Sequence, residues 1–194
     1  MPVFNELSKR ILVAVFGIPL IIGATFYGSF LFLVLVACIS LLCLWEFYKL
    51  AAVKGFAPLK TAGFGGILFL LGDVYFYQAS HLVTLTTLFF LALLIIELFH
   101  KRPNHMANIS VTLFGVFYVG LFSFFLLIRS LPLIIDRTGI SGSWLVTLIF
   151  MGIWACDSGA YFIGKAWGRY PLYERISPGK TWGGALGGLV SSLA

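Results

Sequence analysis

The sequence predicts an all-α fold, a polytopic bundle of transmembrane helices. Of its 194 residues, 60% are hydrophobic and only 10% are charged, and the mean hydropathy is +1.03. A water-soluble domain of this length needs a far more polar surface. Two further observations support the prediction: long apolar segments recur at regular intervals, and basic residues are distributed unevenly between the loops that separate them.

Six apolar segments are long enough to cross a bilayer, which takes about 20 helical residues. The predicted spans are 11–27, 29–48, 61–79, 81–99, 107–129 and 143–164. Short segments rich in polar residues, Gly or Pro separate them. A seventh apolar segment begins near Gly183 and reaches Ala194 after only 12 residues. We therefore expect a single integral membrane domain over 1–194, truncated within its seventh helix.

The basic residues predict the orientation. If the N-terminus is cytoplasmic, 11 of the 13 Lys and Arg residues lie on the cytoplasmic side, and only Arg129 and Arg137 lie on the other. The cytoplasmic set is Lys9, Arg10, Lys49, Lys54, Lys60, Lys101, Arg102, Lys165, Arg169, Arg175 and Lys180. This positive-inside pattern predicts an inner (plasma) membrane protein with a cytoplasmic 165–182 loop. The net charge of +6 fits an anionic leaflet rather than nucleic acid.

Three acidic residues in the spans have simple structural interpretations. Glu46 precedes Lys49 by three residues and Glu97 precedes Lys101 by four, spacings that place each pair on one helix face. We expect an interfacial ion pair in both cases. Asp73 has no nearby cation in the sequence, which leaves a helix–helix hydrogen bond and a functional role as alternatives.

Asp157 departs from the apolar pattern around it. It lies in the inner half of the sixth span, where an ionisable side chain costs roughly 2.5–3.5 kcal/mol on insertion scales. Asp157, Ala160, Gly164 and Gly168 recur at spacings of three and four residues, so they share one helix face. That face fits either a close helix contact with Asp157 hydrogen-bonded across it, or a functional carboxylate.

The loop after this span combines cations with hydroxyl groups. The residues concerned are Lys165, Arg175, Ser177, Lys180 and Thr181. A helix that starts near Thr181 would present free backbone N–H groups and its positive dipole end to an anion. These features suit a phosphorylated substrate, with Mg²⁺ held by the carboxylate of Asp157.

Several motifs along the chain form a specific combined pattern. They are Asp157-Ser158-Gly159-Ala160-Tyr161-Phe162-Ile163-Gly164, Trp167-Gly168, Ile176-Ser177-Pro178-Gly179-Lys180-Thr181-Trp182, and, less specifically, Arg10-Ile11, Gly17-Ile18-Pro19-Leu20 and Trp45-Glu46-Phe47-Tyr48. The chain thereby resembles the CDP-diacylglycerol synthases, or phosphatidate cytidylyltransferases. The resemblance runs along the full chain, which corresponds to the N-terminal two-thirds of a typical member.

Two features differ from the family pattern. Gly179 and Gly183 stand where the family usually has Lys and Glu. The family's C-terminal signature, with a His-Gly-Gly and further aspartates, does not occur in this sequence. Those aspartates are the metal ligands that the resemblance implies. Asp157 alone would hold Mg²⁺ weakly, because nucleotidyl-transfer sites normally clamp metal with more than one carboxylate.

The resemblance implies an enzyme that transfers a cytidylyl group from CTP to phosphatidate, giving CDP-diacylglycerol and pyrophosphate, with Mg²⁺ as cofactor. We expect Asp157 and Lys180 to be catalytic, with Asp157 as the metal ligand. The expected phosphate contacts are Lys165, Arg175, Ser177 and Thr181. The expected partners are CTP, phosphatidate and membrane lipid, with a homodimer formed through the spans and no nucleic acid.

Two other classes of function stay open at this point. The chain could be a catalytically inactive membrane fragment or interaction partner, which the shortage of carboxylates favours. It could instead be a small transporter in which Asp157 and Asp73 form a proton or ion path. The one-sided placement of phosphate-binding residue types and the lack of paired, interrupted helices count against transport.

Overall fold

The structure is a computed structural model that describes residues 3–101, 103–130, 141–175 and 177–193. For residues 3–13 and for Pro178 only the backbone is described. Arg102 and Arg137 of the charge pattern and Ile176 of the motif lie outside these ranges. The chain divides into two compact units, Met1–Leu131 and Pro132–Ala194. That both belong to a single membrane domain stays a prediction.

The first unit is helical. Its helices are α1 (Val3–Tyr27), α2 (Ser29–Val53), α3 (Lys60–Tyr77), α4 (Leu82–Leu98), α5 (His105–Gly120) and α6 (Ser123–Ser130). Helix α3 contacts α2, α4, α5 and α6, so it lies at the centre of this unit. The turn Leu121–Phe122 is all that separates α5 from α6, and both belong to one apolar segment.

In its described residues, 141–175 and 177–193, the second unit contains two helices and a small sheet. Helix α7 (Gly142–Trp167) is followed by β1 (Pro171–Tyr173), β2 (Ser177–Thr181) and helix α8 (Trp182–Leu193). The strands pair antiparallel, with Pro171 opposite Thr181 and Tyr173 opposite Ser177. The all-α prediction was therefore wrong for this segment. Pro171 and Pro178 disfavour a continuous helix here, and strand pairing satisfies backbone groups instead.

Among the residues that the structure describes, three helical segments are long and apolar enough to cross a membrane: Ser29–Val53, His105–Ser130 and Gly142–Trp167. Ala14–Tyr27 and Leu82–Leu98 are shorter apolar helices. Each of these segments coincides with a predicted span, which confirms a mostly helical membrane protein. The count of six spans, and a seventh helix that is cut short, stay predictions.

The core of the first unit is built around one tyrosine. Tyr48 is fully buried, and glycines face its ring from two helices. A Cβ on Gly63 or Gly115 would lie within 2.7 Å of a ring carbon of Tyr48, so only glycine fits at either position. The Tyr48 hydroxyl donates to the carbonyl oxygen of Thr112 at 3.0 Å. This contact fixes α2 against α5.

The predicted ion pair between Glu97 and Lys101 is wrong. Glu97 is only 1% exposed, and its Oε1 accepts a hydrogen bond from Asn108 Nδ2 at 3.0 Å. The same oxygen lies 3.2 Å from His105 Nδ1. Lys101 is exposed. The reason is tertiary: the chain turns after α4, and the start of α5 supplies polar partners that a helix-face argument does not include.

The predicted pair between Glu46 and Lys49 is also wrong for the side chains described. Lys49 Nζ lies 4.3 Å from the centroid of the Trp45 ring, an arrangement in which the ring face attracts the cation. For Asp73 the structural alternative is the observed one. Asp73 is 4% exposed, and its Oδ1 lies 3.0 Å from Nδ1 of His81, which joins the end of α3 to the start of α4.

Candidate functional site

Small residues bring α7 and α8 into close contact. A Cβ on Gly184 would lie 2.9 Å from the carbonyl oxygen of Ala160, and one on Gly188 would lie 2.9 Å from that of Cys156. Both positions therefore require glycine. Gly164 faces Gly184 in the same contact. The predicted small-residue face of α7 is thus a helix–helix contact of the small-xxx-small type.

Asp157 lies beside this contact rather than within it. It follows Cys156, and one residue is a rotation of roughly 100° around a helix. Its side chain is exposed. Among the residues that the structure describes, it makes no hydrogen bond or ion pair. The interpretation of Asp157 as a hydrogen-bonding group between helices is therefore not supported, and its oxygens are available to a ligand.

Thr181 fixes the start of α8. Its Oγ1 accepts a hydrogen bond from the backbone N–H of Gly184 at 3.1 Å, the usual arrangement of an N-cap residue. The backbone N–H of Trp182, the residue after Thr181, donates to the carbonyl oxygen of Tyr170 at 3.0 Å. The helix begins where the sequence predicted. Two N–H groups that we expected to be free are already paired, which weakens the prediction of a backbone anion site.

The hairpin separates its hydroxyl groups from its lysine. The pairing of β1 with β2 is irregular between Pro171 and Tyr173, so regular strand alternation does not assign these side chains to faces. Their exposure distinguishes them: Ser177 and Thr181 are half-buried, and Lys180 is exposed. Arg175 lies in the turn between the strands and is exposed as well. Lys180 and Arg175 are thus the accessible cations of the hairpin.

Lys165 lies in the last turn of α7, adjacent to the hairpin. Its Nζ is 5.9 Å from the centroid of the Tyr161 ring, at the outer limit of a cation–π contact. The side chain is exposed. Asp157 precedes it by eight residues, which is about 12 Å along a helix. The structure therefore groups the cations at one end of α7 and leaves the carboxylate about two turns away.

The described side chains contain no group of three or more His, Cys, Asp or Glu that could hold a metal ion. Asp157 offers one exposed carboxylate. Mg²⁺ is often bound through one or two carboxylates together with substrate phosphates and water, rather than by a cage of protein ligands. Asp157 thus fits as one oxygen ligand of a substrate-bound Mg²⁺, and not as part of a metal site built from described protein ligands alone.

Exposed aromatic side chains surround the hairpin, a feature that the sequence analysis missed. Trp167, Tyr170, Tyr173 and Trp182 are all more than half exposed. Trp and Tyr concentrate at membrane–water interfaces, where their rings lie at the level of the lipid head groups. Their clustering within 16 residues of sequence was the available signal. Such a cluster is typical of a segment at a membrane–water interface.

Comparison with known proteins establishes the class. The model of the cytidylyltransferase family matches residues 8–194, and the chain belongs to this family. The match includes all the candidate residues named above, and it confirms the resemblance predicted from the motifs.

Named relatives include three phosphatidate cytidylyltransferases. The chain is 32% identical to the chloroplastic phosphatidate cytidylyltransferase 5 of Arabidopsis thaliana, over 98% of this chain and 53% of the relative. It is 32% identical to the Synechocystis protein, over 96% of this chain and 70% of that relative. It is 28% identical to the Bacillus subtilis protein, over 97% of this chain and 69% of that relative. The chain thus spans about half the length of the chloroplast relative. No solved structure matches it.

Proposed function

We propose that this protein takes part in the transfer of a cytidylyl group from CTP to phosphatidate, which gives CDP-diacylglycerol and pyrophosphate. The family match over residues 8–194 is the observation that carries the proposal, because it includes both the Asp157 motif and the hairpin. The relatives at 28–32% identity are named for this reaction. Exposed cations at the end of an apolar helix fit a phosphorylated lipid and a nucleotide.

The reaction fits what the accessible side chains can do. A phosphatidate oxygen attacks the α-phosphorus of CTP, the bond from that phosphorus to the bridging oxygen breaks, and pyrophosphate leaves. Lys180, Arg175 and Lys165 would bind the phosphates and neutralise the charge that builds up on the leaving group. The hydroxyls of Ser177 and Thr181 would donate hydrogen bonds to phosphate oxygens. Thr181 can do this while its oxygen still caps α8.

Mg²⁺, when bound, would neutralise negative charge on the triphosphate. Asp157 would supply one of its oxygen ligands. Because a nucleotidyl-transfer site usually needs more than one carboxylate, we expect the 194-residue chain alone to turn over slowly. Fusing it to the C-terminal part of the Bacillus subtilis relative should increase the rate. A fast, Mg²⁺-dependent rate for the chain alone would contradict this view of Asp157.

The test of the reaction uses such a fusion in membranes, with CTP, phosphatidate and Mg²⁺, and measures CDP-diacylglycerol and pyrophosphate. We expect Lys180→Gln to lower turnover by about 10²-fold, the size of effect typical of a preorganised electrostatic group. The matched control is Lys54→Gln, which removes an exposed cation of the first unit and should leave turnover unchanged. Equal turnover in the two variants would contradict the role of Lys180.

The proposed location is the inner (plasma) membrane, with the N-terminus and the 165–182 loop in the cytoplasm. Its support is the uneven distribution of basic residues, together with the aromatic residues around the hairpin. In a cysteine-free background, Tyr170→Cys should resist an impermeant thiol reagent in intact cells and react after lysis. The control is Tyr27→Cys, at the opposite end of its span, which should react in intact cells. The reverse pattern would overturn the orientation.

The proposal includes a homodimer formed through the spans, since many large apolar side chains are exposed on the described helices. Light scattering of the protein in detergent would check it. A protein mass near 21.4 kDa, the mass of one chain, would contradict the dimer.

A further inference from the structure

A polar pocket of about 310 Å³ lies at one end of the first unit. Helices α2, α3 and α6 contribute its lining residues, which include Ser29, Tyr75, Gln78, Arg129 and Ser130. Ser29 is the first residue of one candidate span and Ser130 is the last residue of another. The pocket therefore lies at the ends of membrane-spanning helices, at the level where lipid head groups meet water. It shares no residue with the hairpin or with α7.

Arg129 is held in place in this pocket by its Nε atom. That atom donates a hydrogen bond to the carbonyl oxygen of Thr25 at 2.9 Å, and the guanidinium carbon lies 5.9 Å from the centroid of the Phe32 ring. Thr25 lies in the last turn of α1, where carbonyl groups lack partners within the helix. Capping α1 is therefore one role of Arg129, and it uses one of the five N–H donors of the guanidinium.

The four terminal N–H groups have no acceptor among the described residues, and no described carboxylate forms an ion pair with Arg129. An arginine at the end of a span can instead extend its charge into water. Here the side chain is half-buried and the hydrogen bond to Thr25 holds its Nε, which restricts the directions in which its terminal nitrogens can point. A planar guanidinium in that state matches the oxygens of a phosphate group.

Hydroxyl and amide groups share the lining with the apolar side chains of Phe32, Phe76 and Leu126. Ser29 Oγ and Tyr75 Oη are 2.9 Å apart, and Ser130 Oγ donates to Gln78 Oε1 at 3.0 Å. One proton of the Ser29–Tyr75 pair is free to donate to an oxyanion, and the Ser130 hydroxyl can do so by exchanging its bond to Gln78 or to the carbonyl oxygen of Leu127. Arg129 has no counter-ion among the described residues, and hydroxyl and amide groups lie beside it in a lining that contains no acidic residue. This is the chemistry of an anion site.

We infer that the Arg129 pocket binds a phosphate group, as the head-group phosphate of a membrane phospholipid or as free phosphate. Arg129 provides the charge and the paired N–H donors, and the hydroxyls of Tyr75 and Ser130 add hydrogen bonds. The pocket shares no residue with the hairpin. A result that contradicts phosphate binding by Arg129 would therefore leave the proposed reaction standing, and the reverse also holds.

The test is native mass spectrometry of the whole chain in detergent, titrated in separate arms with dioleoylphosphatidylglycerol, dioleoylglycerol and inorganic phosphate. We expect the phospholipid to bind and dioleoylglycerol, which lacks phosphate, to bind at least about tenfold more weakly, since it lacks a charge-assisted hydrogen-bond acceptor. Binding of inorganic phosphate that competes with the phospholipid would identify free phosphate as an equivalent source. Equal binding of the two lipids, with no binding of inorganic phosphate, would overturn the inference.

Variants assign the binding to the pocket. Arg129→Gln should weaken phospholipid binding about tenfold. The affinity of Arg129→Lys should lie between those of Arg129→Gln and the parent, because Lys keeps the charge but loses the paired donors. Lys54→Gln is the control for overall charge and should bind as the parent does. If Arg129→Gln fails to fold, Tyr75→Phe with Ser130→Ala removes two donors and leaves the Arg129 contact to Thr25 in place. Undiminished binding in this double variant and in any folded Arg129→Gln protein would overturn the inference.

Discussion

Two buried carboxylates of the first unit contrast with the exposed carboxylate of Asp157 in the second unit. In the first unit, Glu97 and Asp73 are buried and each has a polar partner from the next helix or turn. In the second unit, Asp157 is exposed and has no partner among the residues described. The desolvation of a buried ionisable group is costly unless hydrogen bonds offset it. One oxygen of each carboxylate has such a partner, whereas Glu97 Oε2 and Asp73 Oδ2 have no hydrogen-bond partner among the described residues. An exposed carboxylate, such as that of Asp157 at the first position of its motif, can be satisfied by a ligand.

The same contrast holds for hydrogen bonds between backbone and side chain. In the first unit, Asn108 Oδ1 accepts from the N–H of Ala57 at 2.8 Å, and Thr112 Oγ1 accepts from that of Leu59 at 2.9 Å. These contacts hold the α2–α3 loop against α5. In the second unit, Lys180 and Arg175 project from a hairpin without such contacts to described residues. We therefore interpret the packing of the α2–α3 loop on α5 as a scaffold for the proposed reaction, whose phosphate-binding cations lie in the second unit.

The largest effect on stability should come from a side chain that disrupts the close contact between α7 and α8. In Gly184→Leu, the added Cβ would meet the backbone oxygen of Ala160 at 2.9 Å, and neither helix can move away cheaply. We expect a loss of about 3 kcal/mol in the free energy of unfolding, measured by thermal unfolding in detergent. Gly179→Ala is the control, since nothing lies within 4 Å of that position. A stable Gly184→Leu protein would refute the close contact.

A smaller loss is expected from Asn108→Ala in the first unit. It removes the donor to Glu97 and the acceptor for Ala57 together, and leaves both groups buried without that partner. We expect about 2–3 kcal/mol of destabilisation, with turnover per folded molecule unchanged. Ser110→Ala, on the exposed face of the same helix, should cost less than about 0.5 kcal/mol. Lost turnover in folded Asn108→Ala protein would mean that the first unit is more than a scaffold.

The smallest effect is expected at the start of α8. Thr181→Val keeps the shape of the side chain but removes the cap of the Gly184 N–H, at a cost of about 1 kcal/mol. Thr181→Ser keeps the hydroxyl and should recover most of that loss. Equal stability of the Val and Ser variants would show that the cap contributes nothing.

Much of this comparison could be predicted from the sequence, because hydropathy and helix spacing are local properties. The apolar helices fall where the sequence placed them, and the motif around Asp157 identified the family. Partners from other elements could not be predicted. Glu97 was assigned to Lys101 by helix spacing, whereas the residues that contact it are His105 and Asn108, beyond the turn that follows α4.

The hairpin was missed for a related reason. Its strands are three and five residues long, too short for an alternating pattern to be recognised, and they depend on pairing with each other. The grouping of Asp157 with Gly164 and Gly168 came from spacing along one helix. Which of those residues α8 covers depends on a second helix, so the exposure of Asp157 could not be read from that spacing.

The most direct test of the comparison measures turnover and stability together for Asp157→Asn and Glu97→Gln in the active fusion. Both changes remove a carboxylate charge and keep the size of the side chain. We predict that Asp157→Asn folds normally and loses about 10²–10³-fold in turnover. Glu97→Gln, which can still accept from Asn108, should keep its turnover within a few-fold of the parent. Turnover of the Asp157→Asn protein within a few-fold of the parent would contradict the account.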